Sequence, residues 1–169
     1  MYTGAPRQTL NSDGELSFEE DTLREVDVNR QEVLAEMAQE LKERSIMEGM
    51  DELIKRCYGD SKARGWHDHG TNIPEKIALI HSEISEALEG DRKDLMDDKL
   101  PEFKQLVVEL GDAIIRICDL VGYLQSQALD VQTKKELDLS KAIVDKLNFN
   151  KIRKDHNKEE REKAGGKKY

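Results

Sequence analysis

The sequence predicts an all-α protein, and three observations carry that prediction. Aromatic residues make up 5% of its 169 residues, and Pro and Gly number only 3 and 11, too few for the many turns and aromatic-rich strands of a sandwich or barrel. The composition instead suits long helices built from Glu, Lys, Leu, Ala and Ile. The apolar positions also recur three and four residues apart, and no stretch reads better as strand than as helix. At roughly 150 residues per domain the length allows about one domain. Apolar and charged residues each account for 37%, less and more than the ordinary globular share, so part of the chain lies outside any core.

Taken in order, residues 1–28 are rich in Gly, Ser, Asp and Glu and lack spaced apolar positions, which predicts an acidic, flexible extension. From Val33, the positions Leu34, Met37, Leu41, Ile46, Met50, Leu53, Ile54 and Cys57 predict one or two amphipathic helices ending near Gly59. A loop, GDSKARGWHDHGTN, follows. Asn72 then caps a helix with Pro74 in its first turn and Glu75 three residues on, and Gly90 is expected to stop it after Glu89. A charged connection leads to Pro101, expected to open the next helix. There Leu106, Leu110, Ala113, Ile114, Ile117 and Val121 form one stripe, and Val107, Val108, Ile115, Cys118 and Leu120 add apolar surface on other faces, so this helix is central. After Gly122 comes a polar stretch. Leu137 to Phe149 return to helical spacing before a charged tail. The domain reading is an extension over 1–28, a helical bundle over 29–155 and a tail over 156–169. One chain offers a modest core, so the bundle is expected to be completed by a homodimer or homotetramer.

The formal net charge of −9 disfavours nucleic acid and anionic membranes, whose binding needs clustered Lys and Arg. The start, MYTGAPRQTL, has no basic segment followed by an apolar run, and the most apolar stretch, Leu106 to Leu124, is broken by Glu109, Asp112, Arg116 and Asp119. A soluble cytoplasmic protein is the expectation, in the host cytoplasm if a phage encodes it. Cys57 and Cys118 have no metal-ligand spacing and read as small core hydrophobes.

The chemistry is expected in the carboxylates. Glu83 and Glu86 lie three apart on one helix, and Glu109 and Asp112 repeat that spacing on the next. An ExxE or ExxD pair on its own marks a solvated face. These pairs, however, sit among Ile77, Ile80, Ile84, Ala87 and Leu88 and inside the most apolar helix of the chain. If the helices pack antiparallel, four acids can share one pocket, and hard oxygen ligands without His or Cys select Mg²⁺, with Mn²⁺ as a substitute. Ferritin-like di-iron chemistry lacks its ExxH pairs, and no GxxxxGK[ST] phosphate loop is present.

The stretches ALIHSEISEALEG, LPEFKQLVVELGDAIIRICDL and KLNFNKIRKDHNKEEREKAGGKKY resemble the MazG-like all-α nucleoside triphosphate pyrophosphohydrolases, particularly their short single-domain forms, over roughly Met50 to Tyr169. The family pattern is EExxE followed by ExxD, and Ser82 stands here in place of the first glutamate. The resemblance implies that Glu83, Glu86, Glu109 and Asp112 hold Mg²⁺. It further implies that Lys146, Asn150 and Arg153, in a K-xxx-N-xx-R arrangement, meet the triphosphate, and that Trp66 lies near the base. The implied reaction is hydrolysis of a (deoxy)nucleoside triphosphate between its α and β phosphates, to sanitise or balance the nucleotide pool, with Glu86 as a candidate proton acceptor. The alternative is a non-catalytic helical dimer whose surface docks a protein partner.

Overall fold

The computed structural model describes residues 8–10, 16–18, 20–153 and 158–162. They form two short strands, β1 (Gln8–Leu10) and β2 (Leu16–Phe18), and six helices: α1 (Glu20–Ala63), α2 (Ile73–Arg92), α3 (Gln105–Gln127), α4 (Val131–Glu136), α5 (Leu139–Ile152) and α6 (Lys158–Glu162). The all-α expectation therefore holds for most of the chain, with one correction. β1 and β2 pair antiparallel, Gln8 opposite Phe18 and Leu10 opposite Leu16, inside the stretch expected to be an irregular extension. The described residues divide into two compact units between Ser45 and Ile46, within α1.

The first unit holds the hairpin and α1 up to Ser45. No residue from 27 to 45 is buried, and Val33, Leu34, Met37 and Leu41 remain 48–65% exposed. Contacts within the helix include the Gln39 amide donating to Glu43 Oε1 at 2.6 Å.

In the second unit, α2 and α3 form the principal helix pair. Asn72 caps α2 as the sequence predicts, its side chain accepting from the Glu75 N–H at 3.4 Å with Pro74 in the first turn. Gly90, however, does not end the helix. It lies buried within α2, and a Cβ there would sit 3.0 Å from Cβ of Gln105 and 3.2 Å from the backbone N of Leu106, so its missing side chain lets α3 start close by. Pro101 does not open α3 either. It sits in a turn where Asp97, 8% exposed, accepts N–H bonds from Lys99 at 3.0 Å and Leu100 at 2.7 Å. The α3 helix begins four residues later.

Gly122 is a buried interior residue of α3 where Tyr58 of α1 crosses, and a Cβ would come within 2.9 Å of Tyr58 Cγ. Around this crossing Ile54, Cys57 and Cys118 make the buried centre, flanked by Met50, Val121 and Leu139. Asp138 caps α5 by accepting from the Lys141 N–H at 2.9 Å, and Ser140 Oγ donates to Asp51 of α1. Burial pushes the Cys118 thiol up to about 11 and raises that of Cys57. Both stay protonated and behave as core hydrophobes, as their sequence context implies.

Candidate metal centre

α2 and α3 run antiparallel, as successive cross-contacts show: Gly90 beside Gln105, Glu83 beside Arg116, and Lys76 beside Asp119. Glu83 and Ala87 of α2 and Glu109 and Ala113 of α3 fall on the buried side of this pair. The small alanines bring the backbones close, and the two glutamates are carried into the interface at 5% and 9% exposure.

Glu83, Glu86 and Glu109 each offer a carboxylate oxygen, and the three oxygens lie within 4.8 Å of one another. Among the described residues this is the one group of acids, histidines or cysteines that converges so closely. Its donor set is all oxygen, as a hard divalent cation requires. Burial pushes the Glu109 carboxyl above its ordinary range; the Gln105 amide, donating at 3.3 Å, counters this, and the charges of Glu86 and Glu83 add to the rise. A group whose charged form is disfavoured by its carboxylate neighbours gains from a cation placed among them.

The fourth predicted ligand is not in this group. Asp112 is exposed and lines a neighbouring cavity of about 190 Å³ with Ser61, Arg64, Trp66, Lys76, Ile115, Arg116 and Asp119. The reason is rotational. Three residues on, Asp112 lies about 60° around the helix from Glu109, and that step turns it out of the α2–α3 contact.

The loop reading places Trp66 well but misses how it is held. α1 runs past Gly59 to Ala63 and stops at Gly65, whose φ of 79° places it in the left-handed region. The Gly65 N–H then reaches Lys62 O at 3.0 Å and the Trp66 N–H reaches Ser61 O at 3.2 Å, the paired closure that ends many helices. Trp66 is thereby set at the cavity edge, 58% exposed, with Lys76 Nζ 5.6 Å from its ring centre.

Behind it lies a polar network that sequence reasoning did not single out. His67 Nε2 meets Asp119 Oδ1 at 2.7 Å, Lys76 Nζ donates to Asp119 Oδ2 at 3.0 Å, and His67 Nδ1 meets Thr71 Oγ1 at 2.8 Å. The side chains of His67, Lys76 and Asp119 are 6%, 14% and 7% exposed, and the His67 ring stacks on Tyr123 at 5.2 Å and 7°. Burial alone would raise the Asp119 carboxyl, but the His67 and Lys76 bonds and charges outweigh it and hold it below the usual range. Arg116 was also missed. Its Nε donates to Glu83 Oε1 at 2.5 Å, and its only signal in the sequence is an isolated basic residue seven positions after Glu109 in an apolar helix.

Lys146 and Asn150 lie on α5 and Arg153 caps its end. The Lys146 ammonium and the Arg153 guanidinium lie 5.1 and 5.9 Å from the ring centre of Phe149. Lys146 also borders an apolar hollow with Leu139, Ala142, Ile143 and Leu147, not the cavity beside the glutamates. The Asn150 carbonyl oxygen is buried with no hydrogen-bond partner among the described residues. Lys146 and Arg153 thus share the Phe149 ring. Among the described residues no helix is long and apolar enough to cross a membrane. No known protein family, curated protein or solved structure matches the chain.

Proposed function

We propose that this protein hydrolyses (deoxy)nucleoside triphosphates between the α and β phosphates, with Mg²⁺ held by Glu83, Glu86 and Glu109. The observation that carries the reading is the convergence of those three carboxylates on the contact between α2 and α3; the sequence resemblance supplies the reaction. A divalent cation bound there would neutralise phosphate charge and acidify a water ligand. The chain's own groups complement that role. Arg64 lines the adjoining cavity with Trp66, beside Lys76 and Arg116, which are paired with Asp119 and Glu83; Arg64 offers a cation to an anionic ligand and Trp66 a flat, half-exposed ring to a planar one. Glu86, the exposed member of the acidic group, is the candidate proton acceptor. Lys146, Asn150 and Arg153 stay in the proposal through the resemblance alone.

A second reading, the non-catalytic helical dimer, draws support from the Arg116–Glu83 ion pair, because a protein-supplied cation already balances one of the three charges. Incubation of a nucleotide panel with the protein and Mg²⁺ separates the two. Release of pyrophosphate and monophosphate supports hydrolysis at the α–β bond. Release of orthophosphate and diphosphate, or no turnover with any nucleotide, contradicts it.

A further inference from the structure

Within the first unit, α1 carries a short apolar stripe that stays open to solvent. With about 100° between successive residues, Val33, Met37, Leu41 and Leu34 fall within about 100° of arc around Met37, and they are 48–65% exposed. A few exposed apolar residues are ordinary. Beside these, however, runs a row of one charge. Glu32, Glu36 and Glu40 stand four apart, about 60–140° from Met37 on the side of Val33, and none has an ion-pair partner among the described residues. Like charges at that spacing weaken a helix that has no packing to hold it. Along the length of the stripe the other edge holds Gln31, Ala38 and Lys42, so the helix is acidic on one border only.

We propose that this stripe docks an amphipathic helix of another protein, one whose own apolar stripe is bordered by Lys or Arg. The glutamate row selects that occupant. Two copies of α1 packed antiparallel would set the row against its twin, and packed parallel would answer three glutamates with Lys42 alone. An anionic membrane would meet the same row at its headgroups, where surface helices carry cations instead. A helix with basic borders pairs with the row and covers the stripe at once, through anchors three and four residues apart. The four side chains leave roughly 400 Å² to bury on this side, about half of one partner's share in a standard interface, so the complex belongs to the transient, micromolar class. Arg30 and Arg44 lie on the line of the stripe just beyond its ends, which limits the docked length to about three turns. Stripe and row both lie in the first unit, and docking there is independent of the proposed reaction.

Fluorescence anisotropy on the full chain tests it with two labelled synthetic helices of about three heptads, both with leucine at the facing positions, one flanked by lysine and the other by glutamate. The wild type should bind the lysine peptide in the micromolar range and the glutamate peptide at least about tenfold more weakly. Glu36→Lys combined with Glu40→Lys should reverse that preference. Asp98→Lys combined with Glu102→Lys, at exposed positions outside the arm, changes the net charge equally and should leave it intact. Leu34→Gln combined with Leu41→Gln should weaken lysine-peptide binding at least about tenfold with unchanged far-ultraviolet helicity, and the charge reversal decides the matter if that variant does not fold. No binding of the lysine peptide to wild type would overturn the proposal, as would equal losses in the two charge variants, which reduce the attraction to net charge. A folded Leu34→Gln/Leu41→Gln protein that binds as tightly as wild type would also overturn it. So would wild-type self-association that this variant abolishes, since the face then belongs to a second copy.

Discussion

Arg116 on α3 donates its Nε–H to the Glu83 carboxylate on α2 at 2.5 Å, so the most buried of the three clustered glutamates already has a cationic partner. Removing one member of a buried pair strands the other charge in a poorly solvated place, at a cost of about 3 kcal/mol. Arg116→Gln should therefore lower the stability read by urea unfolding by about 2–3 kcal/mol, the smaller figure reflecting the partial exposure of the arginine. Mg²⁺ should recover more stability in this variant than in wild type, because it replaces the lost charge.

Glu109 supplies a pH signature. Its folded pKa lies above its ordinary 4.5, so the folded protein holds that proton more tightly than the unfolded chain. The associated stability is complete below the ordinary value and is lost as pH rises through the raised one. In metal-free buffer Glu109→Gln should melt above wild type at pH 7–8, and this advantage should vanish near pH 4. With Mg²⁺ and nucleotide, Glu109→Gln and Glu86→Gln should each turn over at least about a hundredfold more slowly.

Asp119 behaves in the opposite sense. Its carboxyl titrates below its ordinary 3.8, so its contribution is present above that value and fades as pH falls through the lowered one. Asp119→Asn should destabilise the protein by about 3 kcal/mol at pH 7 by leaving Lys76 without its carboxylate. It should also shift the emission of Trp66, the sole tryptophan, whose ring lies beside that ammonium. Unchanged melting and emission would contradict the positioning described for this loop.

Two glycines of α3 should respond with opposite signs. Gly122→Ala drives a methyl group into Tyr58 and should cost at least about 1–3 kcal/mol. Gly111 has nothing within 4 Å of an added Cβ, so Gly111→Ala should gain about 0.5–1 kcal/mol from helix propensity. Paired urea titrations check both.

Glycines also show where the sequence is ambiguous. A glycine that ends a helix and one that admits a crossing helix are identical in one dimension, so Gly90 reads as a stop although it marks a close approach inside a helix. Gly65, the true terminator of α1, lies in a stretch read only as loop. Signals confined to a few neighbouring residues are legible: the Asn72 cap with Pro74, and the pairing of Glu83 with Glu86. The apolar surroundings of Glu109 correctly put it at the helix contact. Asp112 shares its spacing but not its environment, because one short step around the helix separates interface from solvent. His67 and Asp119 are 52 positions apart, and their contact exists only once α1, its loop and α3 are assembled. The β1–β2 hairpin lies in three-residue strands, too short for alternation to register.

The central claim is that the three glutamates form a cation site, and thermal melting with and without millimolar Mg²⁺ or Mn²⁺ tests it most directly, since a ligand that binds only the folded state must stabilise it. Wild type should melt several degrees higher with the cation, Glu86→Gln and Glu109→Gln should lose most of that shift, and the exposed control Glu102→Gln should keep it. A wild type whose melting temperature ignores both cations, or glutamate variants that shift as much as Glu102→Gln, would contradict the account.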